Sequence, residues 1–168
     1  MPVADRTTNI AFPIWPNRAK KPYYYKVLVF GNRAAMKVFW DEQIKRLGYT
    51  GKSAAFDFRA ITQSWTILRC GRGPRGGRWK ESHQIGNILL NREDMGAGMV
   101  AHECGHAALH YAEVHLKIKA RELYHETCRY QDKASGEERM LYVLGNLVSQ
   151  FWRRFYAQAP KSWHKGGA

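Results

Sequence analysis

The stretch MVAHECGHAALHYAEVH, residues 99 to 115, contains four of the seven histidines in the chain. The sequence predicts one helix here, from about Gly98 to about Lys119, with Asp94 as its N-cap. His102 and His106 are four residues apart, so they lie on one face of that helix, about one turn from each other. Whether they form one metal site or are separate polar residues decides what the sequence indicates about function.

Residues 102 to 106 read HECGH, an HExxH pentapeptide. Two imidazoles one turn apart can bind one zinc ion. Glu103, rotated by about 100° around the helix axis, can reach a water on that metal without being a ligand. The pattern predicts His102 and His106 as zinc ligands and Glu103 as the catalytic base. By chance, a chain of this composition contains about 0.015 such pentapeptides. The alternatives are histidines that pack or face solvent, and a site that binds metal without catalysis.

A third protein ligand must come from another part of the chain. His110 continues the spacing of four, but it lies about 12 Å along the helix from His102, too far to share one tetrahedral ion. We therefore expect His110 and His115 to support the site from outside or to lie on the surface. The remaining candidates are His83, His125, Glu126, Glu137 and Glu138. Glu137 and Glu138 begin the last predicted helix, where acidic residues also interact favourably with the helix dipole.

Hydrophobic patterning along the whole chain predicts an α+β protein in which helices cover a small antiparallel or mixed sheet. We expect one domain over residues 1–168, with an extended N-terminal arm over 1–22, where four prolines occur, and a loose tail over 160–168. The predicted order is strand, helix, two or three strands, helix and helix. These elements are expected at Tyr23–Phe30, Arg33–Tyr49, Phe56–Gly71, His83–Asn91, Gly98–Lys119 and Glu137–Ala157.

The chain is strongly basic, with 27 Lys and Arg against 14 Asp and Glu and a formal net charge of +13. This balance favours an acidic partner, with nucleic acid as the first candidate. A glycine-rich segment brings together four basic residues suited to phosphate contacts, next to Trp79, which can stack on a base. They are Arg72, Arg75, Arg78 and Lys80. The rival hypothesis is therefore a basic nucleic-acid-binding protein whose HExxH is structural or inactive, while the simplest alternative is a solvated basic surface without a dedicated partner.

The cysteines indicate the compartment. Cys70, Cys104 and Cys128 are odd in number and form no CxxC pair, which argues against a disulfide framework and against a structural zinc knuckle. We expect Cys104 to face the core as a small apolar residue. The first residues do not resemble a signal peptide, and no segment approaches the roughly 18 apolar residues of a membrane span. These features predict a cytoplasmic protein that does not cross a membrane.

The chain resembles zinc metallopeptidases of the ImmA/IrrE type, which are common in phages and mobile elements. The resemblance covers about Ile85 to Phe151 and consists of the strand IGNILLN, the segment VAHECGHAALH and a following helix that begins with glutamate. The family's downstream motif is approximately E-x-x-A-x-x-F-A. Glu138 stands at its glutamate, whereas Leu141 replaces the alanine and Leu144-Gly145 replace Phe-Ala. The resemblance implies a zincin-like fold, a bound Zn²⁺ with Glu138 as third ligand, and hydrolysis of a peptide bond in a specific protein such as a repressor.

The chain also resembles SprT-like proteases, which place HExxH after a similar strand and act on DNA-bound proteins. Their third ligand is a histidine followed by glycine, whereas His125 here is followed by Glu126. Neither resemblance covers residues 1–60. In either case, we expect the strand at Ile85 to Leu90 to lie at the edge of the cleft and to pair with an extended substrate.

Overall fold

The computed structural model describes residues 10–17, 23–46, 59–64, 83–119 and 136–163. Within these ranges, the protein is a mixed α+β structure with a four-stranded sheet and three α-helices. The elements are β1 (Ile10–Ile14), β2 (Tyr24–Phe30), α1 (Arg33–Arg46), β3 (Ala60–Ser64), β4 (Gln84–Asn91), α2 (Ala97–Val114) and α3 (Gly136–Gln158), followed by a short 3₁₀ helix (Lys161–Trp163). The predicted α+β class and the two central strands are thereby confirmed.

The sheet has the order β1-β2-β4-β3. β1 pairs with β2 and β3 pairs with β4 in antiparallel fashion, but β2 and β4 are parallel. The sheet is therefore mixed, and not purely antiparallel. The parallel pair requires a long crossover between its strands, and the chain from α1 through β3 provides that length.

The side chains of β2 and β4 alternate between two buried faces of the sheet. Val27, Val29 and Ile88 belong to the main core, together with buried residues of α2 and α3, whereas Phe30 and Leu89 pack with α1 on the opposite face. Because both faces are covered, the two strands read as nearly continuous apolar runs in the sequence. α2 consequently lies on one side of the sheet, packed between the strands and α3.

The expected N-terminal arm includes a strand of the sheet. Ile10–Ile14 pairs with β2, and Phe12 and Ile14 are buried, with the ring of Phe12 5.6 Å from that of Phe151. Pro13 is compatible with this position because β1 is an edge strand in the described sheet, where one row of N–H groups need not be paired. Residues 10–14 are extended, as predicted, but they form part of the core.

Part of the expected loose tail, residues 160–168, also packs against the rest of the protein. Trp163 lies 6.3 Å from the ring of Phe155, and the guanidinium of Arg92 is 5.6 Å from the centre of the Trp163 ring. An apolar contact with the partly buried Trp163 and a cation–π contact together fix the end of α3 against the turn after β4. Residues 164–168 lie outside the described ranges.

α2 begins at Ala97, close to the predicted start, but its N-cap and its end differ from the prediction. Gly96 is the N-cap and makes no side-chain capping bond, whereas Asp94 closes the preceding turn by accepting a bond from the Asn91 amide and donating its own N–H to Asn91 Oδ1. The helix ends at Val114, before the predicted Lys119, because Lys117 adopts a positive φ of 57°. This reversal brings Ile118 back to pack on Ala112.

Candidate metal centre

The orientation of α2 follows from its apolar face. Val100, Cys104 and Ala107 are fully buried against the sheet and α3, at spacings of four and three residues. This arrangement leaves His102 and His106 on the exposed side of the helix. The HExxH histidines therefore face solvent because Cys104 and the apolar residues that flank the motif face the core.

The two histidine rings converge. Their Nε2 atoms are 3.1 Å apart, and the ring planes are nearly perpendicular, with an interplanar angle of 89°. Two nitrogen ligands at zinc-bond distance in a tetrahedral site lie about 3.3 Å from each other. The observed separation therefore fits a shared zinc ion, and it also fits a hydrogen bond from one neutral ring to the other.

Glu103 lies beside this pair and is only 4% exposed. Its Oε2 atom is 2.6 Å from the hydroxyl oxygen of Thr62 on β3, which is also 2.9 Å from the main-chain oxygen of Glu103. The three motif residues line one wall of a cleft of about 440 Å³, and β3 forms the other wall. The lining residues are Ala60, Ile61, Thr62, Ser64, His102, Glu103 and His106.

The structure brings together two of the three predicted zinc ligands. No group of three or more His, Cys, Asp or Glu side chains is placed to hold one metal ion among the described residues. Glu137 and Glu138 are exposed on the first turn of α3, and Glu138 is not grouped with His102 and His106. His125 and Glu126 lie outside the described ranges. The role of Glu138 as third ligand stays a prediction.

Comparison of the chain with protein families, with curated proteins and with solved structures gave no match in any of the three. The resemblance to ImmA/IrrE-type peptidases therefore depends on the HExxH segment and on the order of the elements around it. The predicted nucleic-acid-binding residues Arg72, Arg75, Arg78 and Lys80 lie outside the described ranges, as does Trp79. Nucleic-acid binding by these residues therefore stays a prediction, which is based on the net charge of the whole chain.

The other two histidines of the opening stretch belong to an aromatic cluster near the end of α2. Nδ1 of His110 is 2.7 Å from the hydroxyl of Tyr25, which donates to the carbonyl of Ala107 at 2.9 Å. His115 stacks on Tyr111 with ring centres 5.1 Å apart. Burial lowers the pKa of both histidines below the ordinary value and raises the pKa of Tyr25. His110 and His115 are thus packing residues that favour the neutral form.

Cys104 faces the core, as predicted, with none of its surface exposed. Burial, together with the nearby charge of Glu103, raises the pKa of its thiol to about 12. With none of its surface exposed, the thiol of Cys104 is not placed to meet a substrate or a metal ion in the cleft. The cysteine inside the HExxH motif is therefore a packing residue.

The expectation that the strand at Ile85 to Leu90 lies at the edge of the cleft is wrong. β4 lies between β2 and β3, and both of its edges are paired. β3 is the strand at the edge of the described sheet, and it lines the cleft. Sequence reasoning also missed Thr62, because its contact with Glu103 joins residues 41 positions apart and no local pattern marks it.

Proposed function

We propose that this protein is a zinc-dependent metallopeptidase with a zincin-like arrangement, which hydrolyses a peptide bond in a specific protein substrate. The observation that carries the proposal is the convergence of two exposed imidazole nitrogens, His102 Nε2 and His106 Nε2, in a cleft that also holds the Glu103 carboxylate. A helix whose histidines merely faced solvent would not require the rings to meet. Nor would it require an acidic side chain to be buried beside them.

Each residue of the motif has a separate chemical role. His102 and His106 hold the metal, which when bound polarises the scissile carbonyl and makes the attacking water more acidic. Glu103 takes a proton from that water and later passes it to the leaving amine. The cleft is open to solvent on the side of the histidines, so both water and an extended peptide can enter.

The third ligand in this proposal is Glu138, as the resemblance to ImmA/IrrE-type peptidases implies. α3 packs against α2 in the main core, and Met140, directly after its first turn, packs with Ala112 and Ile118 at the end of α2. The adjacent Glu137 is also exposed and provides a matched control. If Glu138 is the ligand, Glu138→Ala weakens zinc binding by at least tenfold and Glu137→Ala does not; the reverse result would transfer the role to Glu137. Loss of binding in His125→Ala alone would favour the SprT-like alternative.

We further propose that an extended segment of the substrate pairs with β3. β3 is the strand that lines the cleft, and main-chain hydrogen bonds to an edge strand give affinity without requiring a particular side chain. The substrate class is a protein, with a repressor or another DNA-bound protein as the first candidates. We also propose a cytoplasmic setting, which the odd number of cysteines and the lack of a CxxC pair favour. Among the described residues, no helix has the length and hydropathy of a membrane span.

Metal analysis tests the proposal directly. Purified protein dialysed against micromolar zinc should retain about one zinc per chain, and His102→Ala or His106→Ala should lose it. His83→Ala is the matched control, because His83 lies beside Tyr23, which contacts His115 at the far end of α2. A wild-type chain that retains no zinc would overturn the proposal and leave the histidine pair as a hydrogen-bonded contact.

Nucleic-acid binding is the second proposal, and the net charge of +13 favours it. It is compatible with the first proposal if the substrate is a DNA-bound protein, and it replaces the first if the HExxH residues bind no metal. Because phosphate contacts release counterions, affinity for DNA should fall steeply with salt. The basic segment around Arg75 is the proposed contact.

A further inference from the structure

We propose that Thr62 is the positioning residue for the catalytic base Glu103. The inference rests on the proposed function for its catalytic meaning, but the contact itself is a feature of the metal-free chain. Thr62 lies on β3 across the cleft from the HExxH motif, and its hydroxyl oxygen is within hydrogen-bond distance of both Oε2 and the main-chain oxygen of Glu103. One side chain from another element therefore contacts the base at two atoms.

The shorter of the two contacts determines where the carboxylate lies. A distance of 2.6 Å is typical of a hydroxyl that donates to an ionised carboxylate, which is among the stronger hydrogen bonds in proteins. A β-branched threonine has few rotamers available at χ1, so β3 restricts the direction from which the hydroxyl approaches. With Oε2 held by Thr62, the other carboxylate oxygen, Oε1, is available for the attacking water.

The second contact suits the proton transfer. A hydroxyl has one hydrogen and two acceptor lone pairs. While Glu103 is ionised, Thr62 donates to Oε2. After Oε1 of Glu103 has taken a proton from the water, Oε2 is the carbonyl oxygen of the neutral acid and can still accept from the Thr62 hydroxyl, whose hydrogen can also turn to the main-chain oxygen of Glu103 at 2.9 Å. Thr62 thus remains a partner in both protonation states, and only the proton from water changes its place.

The test compares Thr62→Val, which removes the hydroxyl and keeps the β-branched shape, with Thr62→Ser, which keeps the hydroxyl. The probe is the best-cleaved member of a pool of internally quenched peptides. Thr62→Val should lower kcat about 10- to 100-fold, change KM less than twofold and leave the zinc content at the wild-type level. Thr62→Ser should recover most of kcat. An unchanged kcat in Thr62→Val, or a loss in Thr62→Ser as large as that in Thr62→Val, would overturn the inference.

A second readout does not depend on catalysis. In metal-free protein, NMR should detect a slowly exchanging Thr62 hydroxyl proton that is absent in Thr62→Val and shifts in Glu103→Gln, and the side-chain signals of Glu103 should move in Thr62→Val. Unmoved Glu103 signals would overturn the inference even if no peptide in the pool is cleaved. A chain that binds no zinc overturns the proposed function and this inference together, whereas a zinc-binding peptidase with full activity in Thr62→Val overturns the inference alone.

Discussion

A buried carboxylate beside two exposed imidazoles allows the role of Glu103 to be separated from that of the zinc ligands. Glu103→Gln keeps the size of the side chain, and the amide oxygen can still accept the Thr62 hydroxyl, but the amide cannot take up a proton. We expect proteolysis to fall by about 10²- to 10⁴-fold, the range that general acid–base catalysis contributes, while zinc content and unfolding midpoint remain close to wild type. Kinetics, metal analysis and urea unfolding on the same preparation measure the three quantities.

Glu113→Gln is the matched control for that experiment, because Glu113 is exposed on the same helix and lies outside the motif. It should cleave the probe peptide at the wild-type rate. Retained turnover in Glu103→Gln would show that another group is the base. Loss of zinc together with activity would instead make Glu103 a ligand.

Gly86 on β4 is a residue where no side chain fits. A Cβ there would lie 2.5 Å from Cε1 of Tyr25 and still closer to the main-chain oxygen of Gln63. The oxygen of Gln63 belongs to the backbone of the paired strand β3, so it cannot move aside by a change of side-chain rotamer. Gly86→Ala should therefore lower the free energy of unfolding by about 1–3 kcal/mol or more, measured by urea unfolding.

Gly98→Ala is the control for Gly86, since a Cβ at Gly98, inside α2, meets nothing within 4 Å. Alanine there should be neutral or should stabilise the protein by up to about 1 kcal/mol, because glycine is a poor helix former. Equal destabilisation by both variants would contradict the packing argument.

Local pattern was sufficient for part of the site and insufficient for the rest. The HExxH spacing predicted that His102 and His106 share a face, because helical periodicity is a local property. Thr62 and Gly86 could not be recognised, because their roles arise only when β3, β4 and α2 are brought together. The same holds for Tyr25, whose hydroxyl reaches Ala107 on α2.

At the level of elements, the end of α2 should respond to pH. Burial lowers the pKa of His110 and His115 in the folded state, so below the ordinary value of about 6.5 the unfolded chain binds more protons than the folded chain. These two histidines therefore contribute their full share of the free energy of unfolding above a pH of about 6.5, and this contribution is lost as the pH falls below that value. Urea unfolding in the presence of EDTA should show a lower free energy of unfolding at pH 5 than at pH 7.5.

His115→Phe tests the origin of that loss. Phenylalanine keeps the stacking on Tyr111, removes the titrating group and removes a ring nitrogen, Nε2, that is buried without a hydrogen-bond partner among the described residues. The variant should lose less stability than wild type between pH 7.5 and pH 5. An unchanged pH dependence would assign the acid sensitivity to other groups.

The elements that the sequence predicted well are those with long apolar runs or strong helical periodicity. β2, β4 and α3 lie close to their predicted bounds, since each buries a continuous face. β1 was expected as an arm because prolines occur in residues 1–22, but Pro13 is tolerated at a sheet edge. The parallel pairing of β2 with β4 depends on the path of the chain between them, which local periodicity does not contain.

On the scale of the whole molecule, zinc should stabilise the fold if it binds the native state alone. Free zinc at 100 times its dissociation constant adds about 2.7 kcal/mol to the free energy of unfolding. Thermal unfolding of wild type should therefore shift upward as zinc is raised from zero to micromolar concentrations, and His106→Ala should show no shift. A shift of equal size in His106→Ala would mean that the histidine pair is not the binding site.

The net charge of +13 leads to a second prediction at this scale, concerning DNA. Binding of the full chain to a labelled duplex should weaken with salt, with a slope of log K against log salt of about −0.9 for each phosphate neutralised. Replacing Arg72, Arg75, Arg78 and Lys80 by alanine should make that slope less steep by about 3 to 4 if all four contact phosphates.

The control replaces Lys45, Lys117, Lys119 and Lys161, which are exposed and lie outside the glycine-rich segment in the sequence. Both fourfold variants lower the net charge equally, from +13 to +9, so a general attraction between a basic protein and DNA weakens both to the same extent. If the variant at residues 72, 75, 78 and 80 loses more DNA affinity than the control variant, the glycine-rich segment is the contact. If both variants lose the same affinity, binding depends on net charge alone. If the wild-type chain does not bind DNA even at low salt, nucleic acid is excluded as a partner, and only the peptidase proposal remains.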